Sequence, residues 1–316
     1  MRVFLAGGSG VVGERLVPAL AQAGHTVVAL TRSPGKIEAV RALGAEPAVA
    51  DALDREALEA AVREAQPEAV IHQLTAIPDR LNVRKIARDF EFTNRLRTEG
   101  TDNLLEAARA AGARRFVAQS FAGWPYARVG GPVKDEDDPL DSDSPGQMRP
   151  ILDAIRHLES AVTGAADLEG IVLRYGPFYG PGTSMAADGA IVEEIRKRRF
   201  PIVGSGGGVW SFVHVDDVAS ATVAALERGR PGIYNIVDDE PATVSEWLPV
   251  VAEAAGAKPP RRVPAWVGRL ASGPHGVAMM TDIRGASNAK AKRELGWQPA
   301  HSSWREGFRV ELGGAS

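Results

Sequence analysis

The sequence predicts an α/β fold: a Rossmann-type doubly wound parallel sheet with a smaller C-terminal, substrate-facing region. Three observations carry that expectation. Short β-branched runs alternate with Ala/Leu/Glu/Arg-rich helical windows through the first half, a glycine-rich loop follows the first run, and the alternation loosens after about residue 180. A strand–helix–strand unit returns over a face of the sheet, so the alternation implies parallel pairing.

In chain order, VFLAG is followed by the helical VGERLVPALAQAG, then HTVVALTR, IEAVRALG, AEPAVAD, REALEAAVREAQ and AVIHQL. The pattern continues through TEGTDNLLEAARAAG, RRFVAQS, the helical QMRPILDAIRHLESAV and the strand GIVLRYG. Residues 127–150, rich in Pro, Gly, Asp and Ser, read as a long loop, either a solvated acidic connector or a lid. Residues 1–178 are expected to form the Rossmann domain, with a strand near 232–237 returning to its sheet. Residues 179–316 supply most of the smaller, interleaved region.

Composition excludes several function classes. The 316 residues include no cysteine, which removes disulfides, thiolate metal sites and a cysteine nucleophile. A formal charge of -3, from 37 basic and 40 acidic side chains, offers no field for nucleic acid or an anionic membrane. No signal peptide or membrane span is evident, so the expectation is a cytoplasmic protein with a small-molecule partner. The histidines are scattered, so no metal site is expected. A serine hydrolase is excluded because GGSG does not complete G-x-S-x-G, which would need glycine at Val11.

Gly7, Gly10 and Gly13 stand between the first strand and the first helix. Such glycines allow a tight turn, close approach of a pyrophosphate and close helix–strand packing, with phosphate at the helix N-terminus. The second strand ends in Thr31 and Arg32, where an acid would bind the 2′-hydroxyl of NAD. A guanidinium suits a 2′-phosphate, with Lys36 assisting, so NADP(H) is favoured over NAD. The bland alternative for Arg32 is a surface side chain, and for Asp51 a turn residue. Cofactor contacts are assigned to Gly7, Ser9, Gly10, Val11, Val12 and Gly13, to Arg32 and Lys36, and to Asp51, Ala52, Leu74, Thr75 and Tyr175.

At this point the chain resembles the extended short-chain dehydrogenase/reductases, the NAD(P)-dependent epimerase/dehydratase group. The resemblance runs in order through GGSGVVG, ADALD, AVIHQLTA, GTDNLLEAARAAGARRFVAQS, GIVLRYGPFYGPGT, FVHVDDVA, GIYNIVDDEPATVSEW and KRELGWQPAHSSWREGF, nearly the whole chain. It implies Tyr-x-x-x-Lys on the helix after the acidic loop, with a Glu four residues beyond the Lys. The Tyr would exchange a proton with substrate and the Lys would lower its pKa. Setting Glu159 at the Glu position leaves Ile155 for Lys and Ile151 for Tyr, and none of the four tyrosines is followed four residues later by Lys. The expected hydroxyl column falls near Phe121, with Ser120 beside it.

Ile151, Ile155, Leu158 and Val162 form one apolar stripe, to be buried against the sheet or a partner subunit, since this helix often helps form a dimer in the family. Tyr126, His157 and Ser120 are the candidates for replacement acid–base chemistry, each with a packing or surface role as the alternative. The resemblance implies a diphosphate-binding Arg where Trp210 stands, so a nucleotide sugar is disfavoured. Phe121, Trp124, Tyr126, Phe178, Phe212 and Trp210 suggest an aromatic-lined pocket, and Trp124, Phe178, Tyr179 and Trp210 are assigned to substrate. The expected function is an NADP(H)-dependent oxidoreductase of a small, rather apolar carbonyl or alcohol. The alternatives are a cofactor-binding sensor and an epimerase or dehydratase that retains its cofactor.

Overall fold

The structure, a computed structural model, describes residues 1–142 and 146–313. Its centre is a seven-stranded parallel sheet of β1 (Arg2–Ala6), β2 (Thr26–Thr31), β3 (Glu46–Val49), β4 (Ala69–His72), β5 (Arg115–Phe121), β6 (Glu169–Tyr175) and β7 (Gly232–Ile236). The order is β7-β6-β5-β4-β1-β2-β3. Between β1 and β4 the direction of winding reverses. In a doubly wound sheet the crevice at that reversal, beyond the carboxyl ends of the strands, is where ligands bind.

Helices cover both faces, which explains why the strands are apolar almost throughout. Along β1, Val3 and Leu5 join one core while Phe4 and Ala6 join the other, as the period of two requires. The first core is closed by α1 (Val11–Gln22), bearing Leu16, Val17 and Leu20. On the second face pack α2 (Arg55–Ala65), α3 (Glu99–Ala110) and α4 (Arg149–Thr163), through Leu58 and Val62, Leu104 and Leu105, and Leu158 and Val162. α5 (Val215–Arg228) lies beside α1 on the first face.

The stripe on α4 is spent within the chain. Leu158 and Val162 meet the sheet, whereas Ile151 and Ile155 enter a separate cluster beyond its edge. A C-terminal core of Trp210, Phe212, Trp247, Trp304 and Phe308 joins the smaller region to α6 (Ala265–Thr281) and α7 (Trp304–Gly313). α6 is broken inside by Gly273, at φ 72°, followed by Pro274.

The acidic loop is tied down rather than freely solvated. Val133–Lys134 pairs in parallel with Gly285–Ala286, the Lys134 ammonium donates to Asp138 at 2.7 Å, and Glu136 accepts from the Asn235 backbone at 2.7 Å. Burial raises the Glu136 carboxyl above the usual range. Among the described residues no helix is long and apolar enough to cross a membrane.

Candidate active site

The glycine loop leaves β1 at the sheet reversal. A Cβ on Gly7, whose φ is +105°, would lie 2.8 Å from the Gln73 carbonyl oxygen, and one on Gly13 would lie 2.4 Å from the Gly7 carbonyl oxygen. Both glycines are demanded by backbone packing. At Gly10 a Cβ would meet only the Gly7 oxygen, at 3.6 Å, so this glycine faces open space. Gly8 also has no room, its Cβ falling 2.6 Å from that of Ala29. Sequence reading missed it because it stands outside the three-residue spacing.

Immediately after Gly10, α1 starts without a side-chain cap, leaving its first N–H groups at the crevice. Val11 is exposed there and Val12 contributes backbone only, its side chain being in the core. The Lys36 ammonium reaches the Ser9 carbonyl at 3.5 Å. Arg32 is exposed, its guanidinium 5.1 Å from the centre of the Phe92 ring. Asp51 accepts from the Leu53 N–H at 3.0 Å, which spends one carboxylate oxygen on its own turn, and Ala52 accepts from Asn103 at 3.0 Å. Leu74 is half-buried and Thr75 exposed just beyond β4. Free helix N–H groups, an open glycine and two cations fit the anionic groups of a nicotinamide dinucleotide.

Tyr175 does not belong with them. It is wholly buried, with its hydroxyl between Gln73 at 3.0 Å and Thr222 at 2.8 Å, and burial pushes it up to about 12. Its hydrogen bonds tie β4 and β6 to α5 beneath the crevice floor.

Beyond the carboxyl ends of β5 and β6 lies a packed apolar cluster, with a small chamber beside it. Ile151 and Ile155 are fully buried and pack with Ile86, Met148, Phe121 and Trp124. The positions where the resemblance sets a proton donor and its ammonium partner are therefore one aliphatic wall. A narrow cavity beside it is lined by Phe121, Trp124, Pro177, Trp210, Ser211 and Met279. Phe121 and Trp124 lie 6.1 Å apart at 45°, and the Trp210 indole N–H donates to the Met279 carbonyl at 3.0 Å, fixing it as wall. A groove of about 460 Å³ lies at the far end of α1. Its Glu227 and Arg228 pair with each other at 3.5 Å, so it offers no comparable chemistry.

The proposed proton donors are elsewhere. Ser120 donates to Glu159 at 2.6 Å, and Glu159 accepts twice from Arg174, at 2.8 and 2.6 Å. Arg174 also donates to the Tyr126 hydroxyl at 3.0 Å, which donates to Asn235 at 2.7 Å. All five side chains are buried. Tyr126 is thus a link in a closed network joining β5, α4, β6 and β7, and burial pushes its hydroxyl up to about 12. Neither Tyr126 nor Ser120 has a proton free for substrate.

His157 points away from the chamber, reaching Asp102 on α3 at 2.8 Å on the exposed side of α4. Tyr179 and Phe212 are core residues: the Tyr179 ring is 4.6 Å from Phe308 and the Phe212 ring 5.5 Å from it. Phe178, half-buried, packs 5.7 Å from Tyr175. Of the expected aromatic lining, Phe121, Trp124 and Trp210 remain.

One further side chain was not anticipated. His275, on α6, lies 6.2 Å from the Trp124 ring, nearly perpendicular to it. Burial, aided by the nearby charge of Arg128, pushes its imidazole down to about 4. No motif surrounds it in SGPHGVAMM. Only the fold brings it to Trp124.

Comparison with known proteins agrees with this geometry. Residues 3–237 match the sequence model of the NAD dependent epimerase/dehydratase family. The chain belongs to that family. Across 98% of this chain and 100% of the relative it is 48% identical to a 3-diazoavenalumate denitrifying reductase of a Streptomyces species. Among solved structures it resembles UDP-glucose 4-epimerase from Thermus thermophilus in complex with NAD, with TM-score 0.74, 29% identity and 100% coverage of both chains. It also resembles that of Thermotoga maritima with UDP-glucose, with TM-score 0.77, 26% identity, and 99% and 98% of the two chains covered. As a family member the protein is an NAD(P)-dependent enzyme of the oxidoreductase or epimerase kind, and the phosphate loop fits its nicotinamide cofactor.

Proposed function

We propose that the protein is an NADPH-dependent reductase that removes a diazo group, as dinitrogen, from a planar conjugated acid. The observation that carries this reading is the aliphatic pair Ile151 and Ile155, in an apolar cluster whose neighbouring hydroxyls are locked in a buried network. The relative that shares 48% of its residues is named for reductive loss of nitrogen from a diazo acid anion, which supports the reading.

When bound, the dinucleotide would supply a hydride. A diazonium carbon that takes up hydride loses dinitrogen, so R–N2⁺ and H⁻ give R–H and N2 with no proton needed. A carbonyl reduced in the same way becomes an alkoxide that must be protonated. The chamber therefore lacks what a carbonyl demands and has what a diazo acceptor tolerates. Ile151 and Ile155 exclude water that would compete for a reactive diazonium. Phe121 and Trp124 offer ring faces to a flat, electron-poor ligand.

The preference for NADPH rests on Arg32 and Lys36 and on the absence of an acid at the end of β2. A small apolar carbonyl compound is the second reading, favoured by the same apolar lining, and it requires water as proton source.

The test uses 4-carboxybenzenediazonium and NADPH deuterated at C4 on either face. The expected result is one N2 released per NADPH oxidised, with deuterium at the carbon that carried nitrogen, at a rate well above the protein-free control. Turnover of aryl ketones alone would replace this reading with the second.

A further inference from the structure

We propose that the first half of α6, with the basic stretch before it, docks this protein reversibly on an anionic lipid bilayer. The proposal does not rest on the substrate reading above and uses no residue of the phosphate loop or the buried Ser120–Glu159–Arg174 network.

The overall charge of -3 is an average over an uneven chain. Residues 254–281 contain no acid and four cations, Lys258, Arg261, Arg262 and Arg269. All four are exposed, and none has an ion-pair partner among the described residues. A second basic run folds beside them: Arg198 donates to the Pro259 carbonyl and Arg196 to the Ala255 carbonyl, both at 3.2 Å. The acids of that run's helix, Glu193 and Glu194, already face Arg80, Lys197 and Arg199. Positive charge is therefore left uncompensated along this stretch.

Apolar surface adjoins it. Trp266 is 66% exposed and Leu270 is 68% exposed. One turn apart, they share a face of α6, with Arg269 flanking it. The opposite face is the packed one: Gly268 is buried, and a Cβ there would fall 2.3 Å from the Val203 side chain. Val203 belongs to a strand pair, Ile202–Val203 with Arg262–Val263, which fixes the basic stretch next to the helix. Where α6 breaks, Pro274 has no N–H to offer the Leu270 carbonyl. Arg84 donates to that carbonyl and to the one of Ala271, the latter at 2.9 Å. The exposed Val83 thereby lies alongside α6, where a Cβ on Gly276 would be 3.5 Å from it.

Singly exposed apolar side chains are ordinary, but an indole and a leucine one turn apart among unpaired cations mark a surface that is covered. At a bilayer boundary the ring and the aliphatic chain enter the acyl edge while guanidiniums meet lipid phosphates. Two side chains bury too little apolar surface to hold the protein alone, so both signals are required and binding is salt-sensitive. Beyond its break α6 carries Met279, so the helix that meets the lipid is continuous with a wall of the small cavity beside Trp124.

The experiment is flotation of the cofactor-saturated protein with vesicles of phosphatidylcholine, alone or with one third phosphatidylglycerol. The native protein is expected to bind the anionic vesicles about tenfold more tightly than the neutral ones. In about 0.5 M sodium chloride that difference should vanish. Trp266→Gln with Leu270→Gln should weaken binding to anionic vesicles about tenfold. Arg261→Gln, Arg262→Gln and Arg269→Gln together should lower it to the level of neutral vesicles. Val310→Gln, at an exposed apolar position on α7, should bind as the native protein does. Nucleotide affinity and melting temperature should stay at native values in every variant. No native binding, equal native binding to both vesicles, native binding by either set of α6-side variants, or an equal loss in Val310→Gln would each overturn the docking face. Self-association of the native protein in sedimentation velocity, abolished by the Trp266 and Leu270 changes and unaccompanied by vesicle binding, would overturn it in favour of a second copy.

Discussion

Glu159 is 5% exposed and accepts three hydrogen bonds, from Ser120 and twice from Arg174. Removing the charge of one partner in such a pair strands the other in low dielectric, at a cost of about 3–5 kcal/mol. Glu159→Gln should therefore lower the urea midpoint markedly while nucleotide binding in refolded protein persists, and an unchanged midpoint would show that the pair is not enclosed. Arg32 differs because it is exposed and its role is read only with nucleotide present. Arg32→Asp places an acid where β2 ends and should weaken NADPH by about 1–3 kcal/mol, with NADH spared or improved. Equal losses for both nucleotides in a fluorescence titration would remove Arg32 as the phosphate reader. Its position could be read from the chain alone because a βα unit places the end of its second strand by local geometry. Tyr126 could not, since what silences it are Arg174 and Asn235, distant in the chain and adjacent only through β6 and β7.

Among the elements, the turn from β1 into α1 is the most exactly specified by its residues. The Cβ of Gly13→Ala would collide at 2.4 Å with Gly7 and Gly8 backbone, which cannot yield as a flexible side chain would. That variant should melt earlier and fail to bind nucleotide at concentrations that saturate the native protein. Gly10→Ala meets only one atom, at 3.6 Å, and should melt like the native protein yet bind nucleotide more weakly. If both variants bound normally, the phosphate would lie elsewhere. α4 shows the opposite balance. Its apolar period announces a buried face, and Ile151, Ile155, Leu158 and Val162 are all buried. Which neighbours that face meets follows from packing, and only packing shows that half of it joins a separate apolar cluster beyond the sheet. α6 was not legible as a pocket element at all, because its course depends on the break at Gly273.

For the molecule as a whole, buried titratable groups set opposing pH dependences. Asp238 is buried and pushed up to about 8 from 3.8, so the unfolded chain loses this proton before the folded one does. Its contribution to stability declines as pH rises from about 4 to 8 and is constant above. His72 and His275 are both pushed down to about 4 from 6.5, chiefly by burial, so the unfolded chain gains their protons first. Their contribution declines as pH falls from 6.5 toward 4. Between pH 6.5 and 8 the Asp238 slope stands apart from theirs, and Asp238→Asn should flatten the fall in stability seen there in the native protein. A native curve already flat across that window, measured by urea unfolding, would show that Asp238 is ionised when folded. From residue order alone, the parallel sheet and the phosphate loop follow, because strand period, helix period and glycine turns are properties of a few adjacent residues. The tertiary structure alone decided that Tyr126 and Ser120 are locked, that Tyr175 and Tyr179 are core, and that His275 reaches Trp124. Each depends on side chains far apart in the chain whose meeting is set by crossovers and by a broken helix, and no local pattern records that meeting.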